Sequence, residues 1–561
     1  MDRREPTDDL NRRLMELNQI GVALSQEKDL ARLLEVILLA AKKITNADGG
    51  TLYRRTAGKD ELTFEIIRTD SLGIAMGGTT GVKIPYPPIQ LRDSRGRDNN
   101  SMVVAYSVLK DRTVNIADAY LEKGFDFTGT KAFDRHMGYH SQSFLTVPMK
   151  NHEDEIIGVL QLINAQDPTT GLIMAFDKTA QRLAESLASQ AAVALTNRLL
   201  ISQLENLFES FVKLLNQAID EKSPYTGGHC HRVPVLTMLL AEAAHDAKAG
   251  PLALWHLTDL DRYELKIAAL LHDCGKVTTP VHVVDKATKL QTIFDRVHLI
   301  ETRFEVVKRD AEIALLRAGD TAGLRAKLAE IDGDRAFLRL CNAGGEAMSP
   351  EDQERVRAIA KKYRWRNPAG EEVDFLSSDE IENLTIRQGT LTAAERQIIN
   401  HHVSVSIQML EALPWPKHLM NVPEYAGGHH ERMDGKGYPR GLTREQMSVQ
   451  ARIMGIADIF EALTARDRPY KPGKTLTESL HILGRMRLEG HIDPDLFDIF
   501  IRARVYERYA KDYLDPAQVD VVDVSKIPGY SGDHAPAPEK PAGKGTAKRP
   551  SGAKTPKKRV S

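Results

Sequence analysis

Apolar positions Leu14, Leu17, Ile20, Leu24, Leu30, Leu33, Ile37 and Ala41 recur at helical spacing, which predicts an amphipathic helix over residues 10–47. The pattern then changes period. GGTLYRR (49–55) and LTFEIIR (62–68) are short, β-rich and punctuated by Gly and charge, and strand-like runs follow at 112–116, 143–149 and 156–165. Helix, strands, loop, strands, helix is an α+β plan built on an antiparallel sheet. From Phe176 a long helical pattern begins, with Leu183, Leu187, Ala191, Ala194, Ile201, Leu204, Phe208, Phe211 and Leu215 at mostly alternating steps of three and four. That heptad-like seam points to a two-chain coiled coil; a helix packed on its own domain is the other reading. No Pro or Gly interrupts it on the way into the next region.

Residues 219–300 and 390–515 read as helices with polar breaks and hold nearly all the clustered histidines. Between them lies a charged segment, 303–388. Its helical start FEVVKRDAEIALLRAG and the later Leu324, Leu328 and Ile331 predict a helical hairpin inserted into the His-rich region. From residue 533 the chain is rich in Pro, Ala, Gly and Lys. Such a tail buries no core and is expected to be disordered, either as a solubiliser or as a polyanion-binding arm.

A chain of 561 residues exceeds the roughly 250–300 that one core supports, so several domains are expected. The 76 Lys+Arg against 77 Asp+Glu give a net charge of −1, which excludes a chain-wide basic field for coating nucleic acid but not a local phosphate pocket. Cys230, Cys274 and Cys341 are far apart, an odd and sparse set that argues for a reducing compartment. The start MDRREPTDDL lacks an apolar signal region, and no run approaches the roughly 20 apolar residues of a membrane span, so a cytoplasmic location is expected.

Four segments carry candidate chemistry. SPYTGGHCHRV holds His229; LLHDCGKVTTP holds His272, Asp273 and Lys276; ERQIINHHVS holds His401 and His402; the stretch from GGHHERMDGKGYP to RIMGIADIFEALTARDRPYK holds His429, His430, Tyr438, Asp458, Arg468 and Lys471. The apolar run 267–271 places His272 and Asp273 at the end of a buried helix, where a charged pair is costly unless it binds a metal or another charge. If that helix continues, Lys276 shares a face with His272. Adjacent imidazoles on a helix point about 100° apart, so His429 and His430 meet one ion only with help from the backbone, or serve two neighbouring ions. Asp458 lies in an otherwise apolar stretch and needs a partner. Five imidazoles and two carboxylates are too many for one ion and enough for two. Mixed N/O ligands suit Mn, Fe or Zn. Two ions about 3.5–4 Å apart are a recognised device for phosphodiester hydrolysis.

Taken together, HDxGK, HHERxDGxGYP, ADxFEALTA and DRPYK resemble the HD-GYP branch of HD-domain phosphohydrolases over roughly residues 217–513. The resemblance implies metal ligands His229, His272, Asp273, His402, His429, His430 and Asp458. His402 is preferred to His401 by its spacing after Glu395. It also implies His272, Asp273 and Lys276 as the catalytic residues, Lys276 binding the substrate phosphate as well, with Tyr438, Arg468 and Lys471 shaping the guanine and phosphate pocket. The implied cofactors are two divalent transition-metal ions, Fe or Mn. The implied reaction opens cyclic di-GMP to pGpG, with a second cut to GMP left open as the alternative end point, while guanine and adenine are not distinguished. Two positions depart from the family. Tyr225 stands where some members carry a third-metal Glu, which favours two ions, and Ser406 stands where Gly is frequent, adding a little bulk to the same helix contact.

NIADAY, the loop 125–134, SFLTVPM and IIGVLQLIN resemble a GAF domain over about 20–200, similar to those attached to cyclic-nucleotide phosphodiesterases and cyclases. Asn115, Lys131, Phe133 and Asp134 fall at positions reminiscent of the cyclic-nucleotide signature, and no Cys is present for a thioether-linked bilin. The expected organisation is an N-terminal segment (1–19), an α+β GAF-like sensor (20–200), a connecting signalling helix (201–218), an all-α HD-type metallohydrolase domain (219–515) with its insertion, and the basic tail (533–561). The expected partners are cyclic di-GMP, a small ligand at the sensor such as a cyclic nucleotide, and a second copy of the chain. Neither a membrane span nor specific nucleic-acid binding is expected.

Overall fold

The computed structural model describes residues 5–56, 58, 60–223, 228–345, 347–466, 473–530 and 532. Two compact units emerge, one through Phe208 and one from Glu209.

The first unit is α+β. Its strands are β1 (Ala47–Arg55), β2 (Glu61–Thr69), β3 (Ile74–Gly77), β4 (Ile89–Gln90), β5 (Val114–Ile116), β6 (Phe144–Lys150), β7 (Ile156–Gln166) and β8 (Ile173–Met174). They form one antiparallel sheet in the order β3-β2-β1-β7-β6-β5, with β4 on β2 and β8 on β7. Alternate side chains leave opposite faces. Leu52, Leu160 and Leu162 enter a core with the helix Leu30–Thr45 and with Leu183, Leu187, Ala191 and Leu195, while Tyr53 and Val159 join Val104, Ala105 and Val108 on the other side. Both faces of the central strands are therefore covered, which accounts for their near-continuous apolar sequence.

Three expectations are corrected here. The single helix over 10–47 is two, Glu5–Gln26 and Leu30–Thr45, because the Asp29 carboxylate accepts the Arg32 N–H and starts a new helix. The region 125–134 is not all loop, since a helix occupies Thr128–Met137, and a further short helix, Val103–Lys110, precedes it. The heptad-like seam divides. Of its positions, Leu183, Leu187 and Ala191 are buried in their own unit's core, Ala194, Phe208 and Leu215 are half-buried, and Ile201, Leu204 and Phe211 are exposed, as are the neighbouring Leu200, Leu207 and Leu214 of the same 45-residue helix, Lys178–Lys222.

The second unit is helical. His229–His245 packs against Asp259–Leu271 and Val449–Thr464, and Ala393–Glu411 packs against Val422–Gly427 and the short 3-10 turn Cys274–Thr278. Capping boxes at Thr258/Asp261 and Thr392/Glu395 fix where two of these helices begin. The insertion is more than a hairpin. Helices Val297–Arg317 and Thr321–Asn342 are joined by Pro350–Lys362, a two-stranded turn (Arg364–Arg366 with Glu372–Asp374) and Ser378–Leu384. These surround a core of their own, with Phe304, Tyr363 and Phe375 in mutual ring contact. Lys286 anchors this module: its buried ammonium donates to Asn383 Oδ1 at 2.7 Å and to Glu395 Oε2 at 2.7 Å, the latter at the head of the helix that carries His402. The tail from 533 lies outside the described residues, and no described helix is long and apolar enough to cross a membrane.

Phe375→Ala empties the centre of the insertion's core and is expected to destabilise that module by about 3–5 kcal/mol. Denaturant unfolding followed by hydrogen exchange within 297–384 checks this; unchanged protection there would contradict it.

Candidate metal centre

The helix Asp259–Leu271 ends on a buried apolar run, and His272 and Asp273 follow as its last residues turn inward. The helix does not continue as an α-helix. The Lys276 N–H bonds to the Asp273 carbonyl, a 3-10 turn, and the Gly275 N–H donates to Ser406 Oγ at 2.9 Å. Lys276 nonetheless reaches the pair, with its ammonium 2.5 Å from Asp273 Oδ2. A Cβ on Gly275 would lie 2.1 Å from the His402 carbonyl oxygen, so the absence of a side chain there lets the turn rest directly on the backbone that carries His402. Ser406, where Gly is frequent in the resembled family, is fully buried in this contact.

Around Asp273 the structure assembles residues from five segments. His229 Nε2 is 3.1 Å and His272 Nε2 3.3 Å from Asp273 Oδ2, and His402 Nε2 is 3.2 Å from Asp273 Oδ1. Asp458 Oδ1, from the helix Val449–Thr464, is 3.3 Å from His229 Nε2 and 3.9 Å from His272 Nε2. Two donor groups result, His229/His272/Asp273 and His402/His429/His430. The helix before His429 stops at Gly427, so His429 and His430 occupy the turn after it and both rings fall in the second group, their centroids 4.3 Å apart. His401, one residue from buried His402, is exposed.

The hydrogen-bond pattern fixes which ring nitrogens carry protons. His272 Nδ1 bonds to the Ala269 carbonyl at 2.8 Å, His402 Nδ1 to Ile399 at 2.5 Å and His429 Nδ1 to Ala426 at 2.6 Å. Each Nδ1 must donate, so each Nε2 presents a lone pair. Those lone pairs and the Asp273 carboxylate face one another inside the protein: among the described residues His402 Nε2, His429 Nε2 and Asp273 Oδ1 are buried with no hydrogen-bond partner. Buried acceptors turned toward acceptors are rarely left unpaired, and a cation between them satisfies all of them at once. The donor set therefore fits divalent metal ions.

Electrostatics agree for Asp273, His429 and His430, and without an ion favour a proton on His229. Burial opposes ionisation of Asp273, yet Lys276 and His272 hold its carboxyl well below the usual range. Burial, with neighbouring imidazoles, keeps His429 neutral far below the usual histidine range and brings His430 to about 4 even against the pull of Asp458. Burial also opposes protonation of His229, but Glu461, Asp273 and Asp458 outweigh it and raise its proton affinity well above the ordinary.

Tyr438 stacks on His430 with ring centroids 4.8 Å apart and planes at 17°, at the rim of the second group. Its turn is tight: a Cβ on Gly437 would meet the Glu431 Cα at 2.5 Å, and Glu431 accepts the N–H groups of Arg440 and Leu442. Arg468, Lys471 and Tyr225 lie outside the described residues. One residue escaped the sequence reading: Glu461, fully buried, accepts from His229 Nδ1 at 2.5 Å and from Arg232 Nε at 2.7 Å. Its position three residues after Asp458, on the same helix face, was the available signal.

In the first unit, Asn115 Nδ2 donates to the Phe176 carbonyl at 3.0 Å, Lys131 lies over the Tyr120 ring, and buried Asp134 accepts from Tyr120, the Ser141 amide and the Ser141 hydroxyl. Asn115 and Asp134 thus tie local elements together.

Comparison with known proteins agrees with this division. Residues 29–195 match the GAF domain family, and 226–352 and 349–496 match two HD domain families. The chain is 36% identical over 121 residues to the 3′3′-cGAMP-specific phosphodiesterase 1 of Vibrio cholerae, covering 22% of this chain and 27% of that protein. It is 36% identical over 137 residues to a cyclic di-GMP phosphodiesterase of Pseudomonas aeruginosa, covering 24% and 32%. It is 26% identical over 289 residues to the 3′3′-cGAMP-specific phosphodiesterase 3 of Vibrio cholerae, covering 52% and 37%. The chain thus spans roughly a third of the length of these relatives. It carries an N-terminal α+β GAF domain followed by a helical HD domain.

Gly275→Ala is expected to push the 3-10 turn off the His402 backbone, weakening divalent-metal binding at least about tenfold, as loss of ligand support does elsewhere. Calorimetric titration of Mn(II) measures this; wild-type affinity would show that the close approach is dispensable.

Proposed function

We propose that the protein is a metal-dependent phosphodiesterase of the HD-GYP type that opens cyclic di-GMP to pGpG and onward to GMP, under the control of a small ligand at its GAF domain. The observation that carries this reading is the set of buried acceptors without a hydrogen-bond partner that converge here, Asp273 Oδ1, His402 Nε2 and His429 Nε2. His229, His272, Asp273, His402, His429, His430 and Asp458 would hold two divalent transition-metal ions, Fe or Mn. When bound, such ions polarise a phosphoryl oxygen and lower the pKa of water for attack at phosphorus. The chain's own groups do the rest. The backbone carbonyls behind His272, His402 and His429 keep the Nε2 lone pairs aimed inward. Lys276, a cation beside Asp273, offsets negative charge as it accumulates on the phosphoryl oxygens. Tyr438, with Arg468 and Lys471, would line the base and phosphate pocket.

Relatives named for both cyclic di-GMP and 3′3′-cGAMP favour a second reading for the base: the substrate class is a cyclic dinucleotide, with guanine or adenine at one position. The sensor's ligand would be a cyclic nucleotide or another small molecule. The exposed Leu200, Leu204, Leu207, Phe211 and Leu214, at steps of four and three, support a homodimer through that helix, and the sparse cysteines support a cytoplasmic setting.

Anaerobic preparation with Mn or Fe, then incubation with cyclic di-GMP and with 3′3′-cGAMP and chromatography of the products, tests the assignment. Linear dinucleotide or mononucleotide is expected from the wild type and none from His272→Ala or Asp273→Ala; a metal-loaded wild type that converts neither substrate would overturn it. Lys276→Ala is expected to lower kcat at least about 100-fold with metal content retained, read by steady-state kinetics beside metal analysis.

A further inference from the structure

His272, His402 and His429 are each oriented by the carbonyl three residues earlier on their own backbone. His229 is the first residue of its helix, so no preceding helical turn supplies that carbonyl. Its Nδ1 instead meets Glu461 at 2.5 Å, on the helix Val449–Thr464. The same helix presents Asp458 to the other end of the ring, 3.3 Å from Nε2. One helix thus grips a single imidazole from both ends with carboxylates three residues apart. Glu461 is fully buried, and its second oxygen takes Arg232 Nε at 2.7 Å, which offsets the charge and fixes the carboxylate's rotamer.

A carboxylate behind a ligating imidazole locks the tautomer and makes the ring a stronger donor, whereas a carbonyl does so more weakly. The two donor groups therefore differ. The group His229/His272/Asp273 has Asp458 beside it and Glu461 behind it, while His402 and His429 are backed by carbonyls alone.

We propose that Glu461, held by Arg232, is the positioning residue for His229 and makes the His229/His272/Asp273 locus the tighter of the two ion sites; this rests on the two-metal reading above. Glu461 touches neither substrate nor ion. It acts through His229.

The test titrates Mn(II) alone into metal-free full-length protein, with free Mn(II) read by electron paramagnetic resonance, in wild type and in the His229→Ala, Glu461→Gln and Glu461→Ala proteins. Gln keeps an acceptor for Nδ1–H but removes the charge; Ala removes both. Two unequal binding steps are expected in the wild type. Glu461→Gln should weaken the tighter step about 10- to 100-fold and leave the weaker one within about threefold, Glu461→Ala should weaken the tighter step further, and His229→Ala should abolish that same step. Metal-free Glu461→Gln should melt somewhat below the wild type, because Arg232 keeps its charge and loses its carboxylate partner, while its Mn(II)-induced rise in Tm shrinks. Both steps unchanged in the Gln and Ala proteins, or a lowered metal-free Tm with unchanged Mn(II) affinity, overturns the role of Glu461. Both steps surviving in His229→Ala overturns the metal reading itself, and this proposal with it.

Discussion

The candidate metal centre is arranged around one carboxylate. Asp273 is buried with a lysine on one oxygen and histidine lone pairs on both, and ionised groups of this kind are expensive to remove from water unless their partners are in place. The partners come from positions 229, 272, 276 and 402, so the cost is met only when helices distant in sequence are locked together. The Gly275–Ser406 contact is where that locking is tightest: two backbones touch because one position has no side chain, and the hydroxyl opposite takes the amide left over by the 3-10 turn. The glutamate at the head of the His402 helix is tied to Lys286, so the register of that helix is fixed at both its start and its middle.

Much of this was legible in the sequence. The placing of His272 and Asp273 after an apolar run and the need of Asp458 for a partner follow from the cost of burying charge, while His402 was preferred to His401 by its spacing after Glu395; the structure puts Asp458 within 4 Å of His229 and His272, and His402 within 4 Å of Asp273. The strands at 49–55, 62–68 and 156–165 were legible because they are β-rich runs bounded by Gly and charge. What escaped was set by single hydrogen bonds. Asp29 splits a helix that periodicity alone runs through, since a cap changes the backbone without disturbing the apolar spacing. The turn after Asp273 becomes 3-10 because Ser406, far along the chain, supplies the acceptor. Glu461 was hidden for the same reason: a buried glutamate in an apolar helix reads as one more charged residue until its partner, 232 positions away, is seen.

The seam of the long helix shows the limit of periodicity from the other side. Steps of three and four mark an apolar stripe but not what covers it. Leu183 and Leu187 face the helix's own sheet, whereas Leu204 and Phe211 face solvent. A stripe that changes from covered to bare along one uninterrupted helix is where a partner helix would add most, because large apolar side chains left in water gain the most from association.

The centre also ties metal binding to folding. Lone pairs aimed at one another in a buried space repel, so the helical unit without a cation holds an unfavourable arrangement that its apolar contacts must offset. A ligand that binds only the folded arrangement adds RT ln(1 + [L]/Kd) to stability, about 4 kcal/mol when its concentration is a thousandfold above Kd. Because the contributing segments are separated by up to 229 positions, from His229 to Asp458, that gain is shared by the whole unit rather than by one loop. The insertion has a core of its own and shares in that gain through contacts such as the Lys286 ammonium, which bridges Asn383 of the insertion to Glu395 at the head of the His402 helix. A divalent ion held at this centre would therefore also be a structural component of the helical unit, and any signal that altered the alignment of His229 against Asp273 would change its affinity and the unit's stability together.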